Sequence, residues 1–201
     1  DAFFLTTLSD RDWRDGTSEA IKVALIKDAQ FFNWIESNTA ALANRDVTAM
    51  RYLIKRCAEL HLQHIASRDP FETGSSRPLD FGHWSAHKLE ALTHFEVKHG
   101  EAVAYGMALD SAYSYCSGKL SLAELERIIL VLKKMHFSVY HPLFQMKNEN
   151  SALLQGLQEF REHLGGRLTI MLLQQIGLGE EVNEIHIEKL QQATAWLQAQ
   201  S

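Results

Sequence analysis

Apolar residues recur every three or four positions along most of the chain, which is the spacing of one face of an α-helix. The clearest row lies within residues 46–67 and consists of Val47, Met50, Leu53, Ile54, Cys57 and Leu60. The same spacing predicts helices over residues 17–27, 29–43, 46–67, 82–93, 100–117, 121–135, 149–164 and 185–198. The apolar run 168–173 fits either a short strand or a buried helical segment, because periodicity does not separate the two. We therefore expect a mainly α fold with at most one small β element.

Polar residues suited to capping stand where several of these segments begin. Asp28 precedes the second segment and predicts an N-cap, since its carboxylate can accept a hydrogen bond from a free backbone amide. Ser121 and Glu124 have the offset of a capping box at the start of the sixth segment. Thr17 or Ser18 is the expected cap of the first segment.

The composition is that of an ordinary globular protein. The chain has 201 residues, 46% hydrophobic and 22% charged, so we expect one domain over residues 1–201. No apolar run approaches the roughly 18 residues of a membrane span, and no signal peptide is recognisable, so a membrane partner is not expected. The net charge of −5 argues against nucleic acid as a partner. Cys57 and Cys116 form no CxxC motif, and a cytoplasmic location is expected. Residues 68–80, rich in Pro, Gly and Ser, predict a loop.

Histidine supplies the candidate chemistry, with ten residues in the chain. His83 and His87 are four positions apart and would share one face of a helix, as metal-binding pairs do, but two half-buried structural histidines fit the spacing equally well. His99 begins the next helix, and an antiparallel helix pair would bring it back towards His83. Glu19 and Lys22 would share a face near a helix start. There, dipole stabilisation and an ordinary ion pair explain both residues without any site.

Four segments resemble 3-dehydroquinate synthases. GTSEAIKVALIKDAQFFNWIE is similar to that family's GxAExxKxxxIxDxxFFxxLE, and LDFGHWSAHKLE to its LNxGHTxGHAxE. HGEAVAYGM matches HGEAVxxGM closely, and GGRLTIMLLQQIG resembles the closing GxxxxxLLxxIG. Order and spacing agree across nearly the whole chain. The sequences of the segments DFGHWSAHKLE and FREHLGG are most similar to the EboD-type branch of these sugar-phosphate cyclases.

The resemblance implies a metal centre and a set of substrate contacts. The family binds a catalytic zinc ion through one Glu and two His, which correspond here to Glu19, His83 and His99. His87 then falls on an active-site histidine that shuttles protons or holds substrate, and not on a metal ligand. Lys22 falls on a substrate-binding lysine that also serves catalysis. The metal would be Zn²⁺ or another divalent ion such as Co²⁺.

Three positions depart from the family pattern at its substrate contacts. His61 stands where the synthases have a lysine in the long helix, and Arg77 is displaced by one position from an arginine. Asp80 replaces an asparagine beside the substrate hydroxyls and adds a negative charge. Because cation geometry decides how phosphate and carboxylate are recognised, these changes leave the particular substrate open.

The function implied is that of an NAD- and zinc-dependent sugar-phosphate cyclase, a lyase that closes a carbocycle while eliminating phosphate from a heptulosonate or heptulose 7-phosphate. The glycine-rich dinucleotide turn of the family's N-terminal domain is not found in this sequence. The chain is therefore expected to be the C-terminal metal- and substrate-binding domain, with NAD⁺ bound by the missing N-terminal domain. The resemblance also suggests a homodimer. The alternatives are a related metal-dependent polyol or alcohol dehydrogenase and a non-catalytic metal-binding relative.

Overall fold

The computed structural model describes residues 2–66, 80–146, 151–163 and 165–201. A 3-10 helix (Ala2–Thr7) precedes α1 (Asp10–Lys27), α2 (Ala29–Ala43), α3 (Val47–Ile65), α4 (His83–Leu92), α5 (His99–Cys116) and α6 (Leu122–Lys134). A second 3-10 helix (Pro142–Phe144), α7 (Ala152–His163), strands β1 (Ile170–Gln175) and β2 (Leu178–Val182) and α8 (Ile187–Gln200) follow. The mainly α prediction is confirmed. In the described ranges, no helix combines the length and the apolar character that crossing a membrane requires.

Two of the predicted caps are confirmed in detail. The Asp28 carboxylate accepts a hydrogen bond from the Phe31 amide at 3.0 Å, and α2 follows directly. The Ser121 hydroxyl accepts one from the Glu124 amide at 3.3 Å, while the Glu124 carboxylate accepts one from the Ser121 amide. Both helices therefore start where local side-chain chemistry satisfies their free amides.

The predicted start of α1 is wrong. The helix begins at Asp10, because the Ser9 hydroxyl accepts the Asp12 amide at 3.1 Å and caps it. Gly16 lies in the helix interior, where a methyl group would meet nothing within 4 Å, so it neither breaks nor caps the helix. Glu19 therefore lies more than two turns inside α1. Stabilisation by a helix N-terminus, which falls off within the first turn, no longer explains it.

Most of the apolar run 168–173 lies in strand β1 (Ile170–Gln175), which is part of a hairpin. β1 pairs antiparallel with β2, with Ile170 opposite Val182 and Leu173 opposite Gly179. The turn is anchored on α1, since the Gly177 amide donates to the Leu25 carbonyl at 2.7 Å. This is the single small β element of the described residues.

The helix at the centre of the core is α5, which contacts α1, α4, α6, α8 and β1. Glycines let it approach two neighbours unusually closely. A Cβ on Gly106 would lie 1.8 Å from the Gly82 carbonyl oxygen, and one on Gly100 would lie 2.5 Å from the Asp15 carbonyl oxygen. These contacts bring α5 against α1 and the start of α4, which carry the predicted metal ligands.

Candidate metal centre

Three side chains from different helices meet at one point. Glu19 projects from the interior of α1, whereas His83 and His99 are the first residues of α4 and α5. The Nε2 atom of each histidine lies 3.9 Å from Oε1 of Glu19. One ligand atom from each residue can be chosen so that all lie within 4.8 Å of one another. The structure thus brings together the three residues that the resemblance implies as ligands.

The Glu19 carboxylate indicates that this cluster fits a cation. Its Oε2 lies 2.7 Å from the Lys22 ammonium, whereas its Oε1 is buried and has no hydrogen-bond partner. The Glu19 side chain as a whole is 46% exposed, so the burial of Oε1 is local to the side that faces the histidines. A buried acceptor without a donor is costly unless something else neutralises it.

The donor set and spacing suit a zinc-type ion. Two imidazole nitrogens and one carboxylate oxygen are a known catalytic zinc combination that leaves the fourth position open. Around a tetrahedral ion with bonds of about 2.0–2.2 Å, ligand atoms lie roughly 3.4 Å apart. The observed 3.9 Å separations are about half an ångström wider, which small side-chain rotations can close.

His83 is held as a neutral imidazole. Burial and the nearby Lys22 cation lower its pKa to about 4. Its Nδ1 lies 3.1 Å from the Phe81 carbonyl oxygen, which leaves Nε2 facing Glu19. A neutral ring with a free Nε2 lone pair is the form that binds a metal ion, since protonated imidazole is no ligand.

The turn that carries His83 is held by Asp110 on α5, a residue that the sequence motifs do not include. Gly82 adopts φ +78°, a left-handed conformation that glycine tolerates. The buried Asp110 carboxylate accepts the Gly82 amide at 2.9 Å and the Trp84 indole N–H at 2.8 Å. Burial raises the Asp110 pKa to about 7. The sequence feature that could have identified Asp110 is its acidic side chain within the otherwise apolar stretch of α5.

The start of α5 is fixed by a different kind of contact. The Glu101 carboxylate accepts the Lys98 amide at 3.2 Å and so stabilises this helix N-terminus. It also accepts hydrogen bonds from Arg11 Nε at 2.9 Å and Arg14 Nη2 at 2.5 Å, both on α1. Glu101 therefore ties the helix that begins with His99 to the helix that contains Glu19.

His87 borders the cluster without facing Glu19. Its ring is exposed, with its centroid 5.5 Å from that of His83 and 6.3 Å from that of His99. The pair that faces Glu19 is therefore His83 with His99, and not the His83–His87 pair that helical spacing singles out. Lys22 is only 3% exposed and points its ammonium at the Glu19 carboxylate.

A recess of about 370 Å³ lies between α4 and α7, beside the cluster. Asp80 and His87 line its α4 side, and Phe160 and His163 line its α7 side. No sequence motif assigns a functional role to His163. His61 is exposed in the last turns of α3, and its contact with substrate stays a prediction. Arg77 lies outside the described residues.

Comparison with known proteins identifies the family. Residues 16–159, well over half of the chain, match the 3-dehydroquinate synthase C-terminal family. The chain therefore belongs to that family. It is also similar to a solved structure of 2-epi-5-epi-valiolone synthase from Streptomyces hygroscopicus subsp. jinggangensis 5008, with NAD⁺ and Zn²⁺ bound. The TM-score is 0.91 at 30% identity, over 100% of this chain and 55% of that one.

A second solved structure supports the fold alone. It is 2-deoxy-scyllo-inosose synthase, complexed with carbaglucose-6-phosphate, NAD⁺ and Co²⁺. The TM-score is 0.72 at 19% identity, over 91% of this chain and 50% of that one. The chain thus spans about half the length of the solved enzymes that it resembles.

Proposed function

We propose that this chain is the metal- and substrate-binding half of an NAD- and zinc-dependent sugar-phosphate cyclase, with Glu19, His83 and His99 as the metal ligands. The observation that carries the proposal is Oε1 of Glu19, buried without a hydrogen-bond partner and 3.9 Å from Nε2 of both histidines. The family match and the zinc-containing relative at 30% identity support it.

The residues around the ion have separate tasks in this proposal. The bound ion supplies Lewis-acid chemistry, orienting hydroxyl groups and stabilising negative charge that develops on oxygen. Lys22, a buried cation at the metal-site carboxylate, holds an anionic or carbonyl oxygen of the substrate. His87 has an exposed imidazole beside the cluster and exchanges a proton with the substrate. Asp80 faces the sugar hydroxyls from the α4–α7 recess.

The hydride chemistry belongs to NAD⁺, which we propose is bound by an N-terminal domain outside residues 1–201. The substrate proposed is a heptulosonate or heptulose 7-phosphate, with phosphate leaving by elimination. His61, Arg77 and Asp80 are the proposed specificity positions. The EboD-type branch, the homodimer and the cytoplasmic location stay predictions.

Zinc binding by the 201-residue chain tests the metal centre directly. We expect Zn²⁺ to raise the Tm of the wild-type chain, because an ion that binds only the folded state stabilises it, by about 2.7 kcal/mol at one hundred times its Kd. Glu19→Gln removes one ligand charge and should abolish that rise. Glu126→Gln makes the same change on the exposed surface of α6 and should keep it. An equal rise in all three chains would refute the assigned ligands.

Turnover tests the reaction and separates the alternatives. The assay uses a protein that contains this chain and an NAD-binding domain, with NAD⁺, Zn²⁺ and a panel of heptulose and heptulosonate 7-phosphates. Phosphate release without net NADH is expected for a cyclase. Net NADH without phosphate would indicate a polyol or alcohol dehydrogenase. Neither product, with zinc bound, would indicate a non-catalytic relative.

A further inference from the structure

Glu90 is a mostly buried carboxylate of α4 to which neither the family resemblance nor the proposed mechanism gives a role. It is the last residue of the LDFGHWSAHKLE segment, and its side chain is 13% exposed. Its Oε1 lies 3.2 Å from Nδ1 of His99. The same imidazole points its other nitrogen at Glu19, 3.9 Å away. The His99 ring is therefore held between two carboxylates, one on each nitrogen.

The chemistry of the contact fixes the tautomer of His99. An ionised carboxylate only accepts hydrogen bonds, so a neutral imidazole beside it places its proton on Nδ1. The Nε2 lone pair is then directed at the point between Glu19 and His83 where a cation would lie. Histidine ligands whose second nitrogen donates to a carboxylate are better oriented and more basic.

His99 needs such a partner more than His83 does. His83 is mostly buried, and its Nδ1 is satisfied by the Phe81 carbonyl of its own turn. His99 is 50% exposed and is the first residue of its helix, so packing restrains its ring less than that of His83. The Glu90 carboxylate is the contact of Nδ1 that holds the ring in place.

We propose that Glu90 is the positioning residue of the metal centre, which sets the ring orientation and tautomer of His99. The inference rests on the proposed function in that His99 must be a metal ligand. Loss of a carboxylate in this position typically weakens metal affinity about 10- to 100-fold.

The experiment compares Glu90→Leu, Glu90→Gln and the surface control Glu126→Gln in the 201-residue chain. Zinc affinity is measured by competition with a chromophoric chelator, and the visible spectrum of the Co²⁺-loaded chain reports ligand geometry. We expect Glu90→Leu to bind Zn²⁺ about 10- to 100-fold more weakly and to change the Co²⁺ spectrum. Glu90→Gln keeps an acceptor oxygen and should lose less zinc affinity than Glu90→Leu. This variant also keeps the test valid if Glu90→Leu folds poorly.

Imidazole ¹⁵N NMR of the metal-free chain supplies a readout that is independent of zinc. We expect His99 to carry its proton on Nδ1 in the wild type and to shift towards the Nε2–H form in Glu90→Leu. Unchanged zinc affinity in a folded Glu90→Leu chain, or an Nε2–H tautomer in the wild type, would overturn the role of Glu90 while leaving the metal centre intact. Failure of the wild-type chain to bind zinc would overturn the metal centre, and this inference with it.

Discussion

His83 and His99 both begin helices and both face Glu19, but the two regions that hold them are built differently. The His83 turn is part of the core: Gly82 packs on the backbone of α5, and the buried Asp110 accepts two hydrogen bonds from the turn. The His99 ring is half exposed, and beyond the close contact of Gly100 with the α1 backbone its region is held by charged side chains, above all Glu90 and Glu101.

The two proposed ligands are therefore held in position by different physical causes. A backbone turn locked by packing resists change because every alternative position clashes or leaves a buried group unsatisfied. A helix start held by carboxylates depends on charges that water and salt weaken. The His83 ring is thus fixed by the packing of its turn, whereas the half-exposed His99 ring depends more on its charged neighbours. Substitutions on the His83 side and on the His99 side should therefore differ in how much unfolding free energy they cost. They should also differ in how that loss depends on salt and pH.

The largest effect is expected from Gly106→Ala, on the His83 side. Its Cβ would lie 1.8 Å from the Gly82 carbonyl oxygen, so the backbone must move or the packing of α4 on α5 must open. We expect a loss of more than about 3 kcal/mol of unfolding free energy, or failure to fold, measured by urea denaturation. Gly16→Ala is the control, since its Cβ meets nothing within 4 Å, and it should be neutral or stabilising. Equal stability of the two variants would contradict the close-packed contact.

Asp110→Asn should give an intermediate effect that depends on pH. The two oxygens of Asp110 each accept one hydrogen bond, from Gly82 and from Trp84, and an amide would turn its NH2 group towards one of these donors, so the variant should lose about 1–3 kcal/mol at pH 5. The raised Asp110 pKa means that the folded state holds this proton more tightly than the unfolded state. Its stabilising contribution is present at low pH and is lost as pH rises from the ordinary aspartate range through about 7.

The stability gap between wild type and Asp110→Asn should therefore narrow between pH 5 and pH 8. Unfolding free energies of both chains, measured in urea across this range, provide the check. Parallel pH profiles would show that Asp110 does not titrate in this window and would remove the pH dependence assigned to the His83 side.

The smallest effect is expected from Glu101→Gln, on the His99 side. The change weakens the ion pairs with Arg11 and Arg14, which are partly exposed, and the cap on α5. We expect a loss of about 1 kcal/mol that shrinks when salt is raised from about 0.1 M to 1 M, because the Debye length falls from roughly 10 Å to 3 Å. A salt-independent loss as large as that of Gly106→Ala would abolish the distinction between the two sides.

Local features of the chain were predictable from the sequence, and contacts between distant elements were not. Asp28 and Ser121 cap helices through neighbours within three residues, so their roles follow from local spacing. The start of α1 was missed because its first two turns carry charged residues and Gly16, which interrupt the apolar pattern. Strand β2 was missed for a similar reason, since LGEEV has no alternating apolar face.

The three predicted ligands came from family motifs, since spacing alone favoured His83 with His87. Asp110 and Glu90, which hold His83 and His99 in position, could be identified only once the fold was known. Asp110 acts on a turn far from it in sequence, and Glu90 acts on the first residue of the next helix. No local pattern tells which buried acid meets which turn, because that depends on how α4 and α5 are packed together.

The position of Glu19 on α1, with all of α2 and α3 between it and His83, also bears on the order in which the protein is assembled. An unfolded chain would have to close a long loop before a single ion could bind both residues, and closing long loops is entropically unfavourable. On the proposed function, zinc is therefore expected to bind last, at a site that the folded chain has already formed. Newly made protein would then pass through a folded, metal-free stage, and zinc would act on a chain that had already folded.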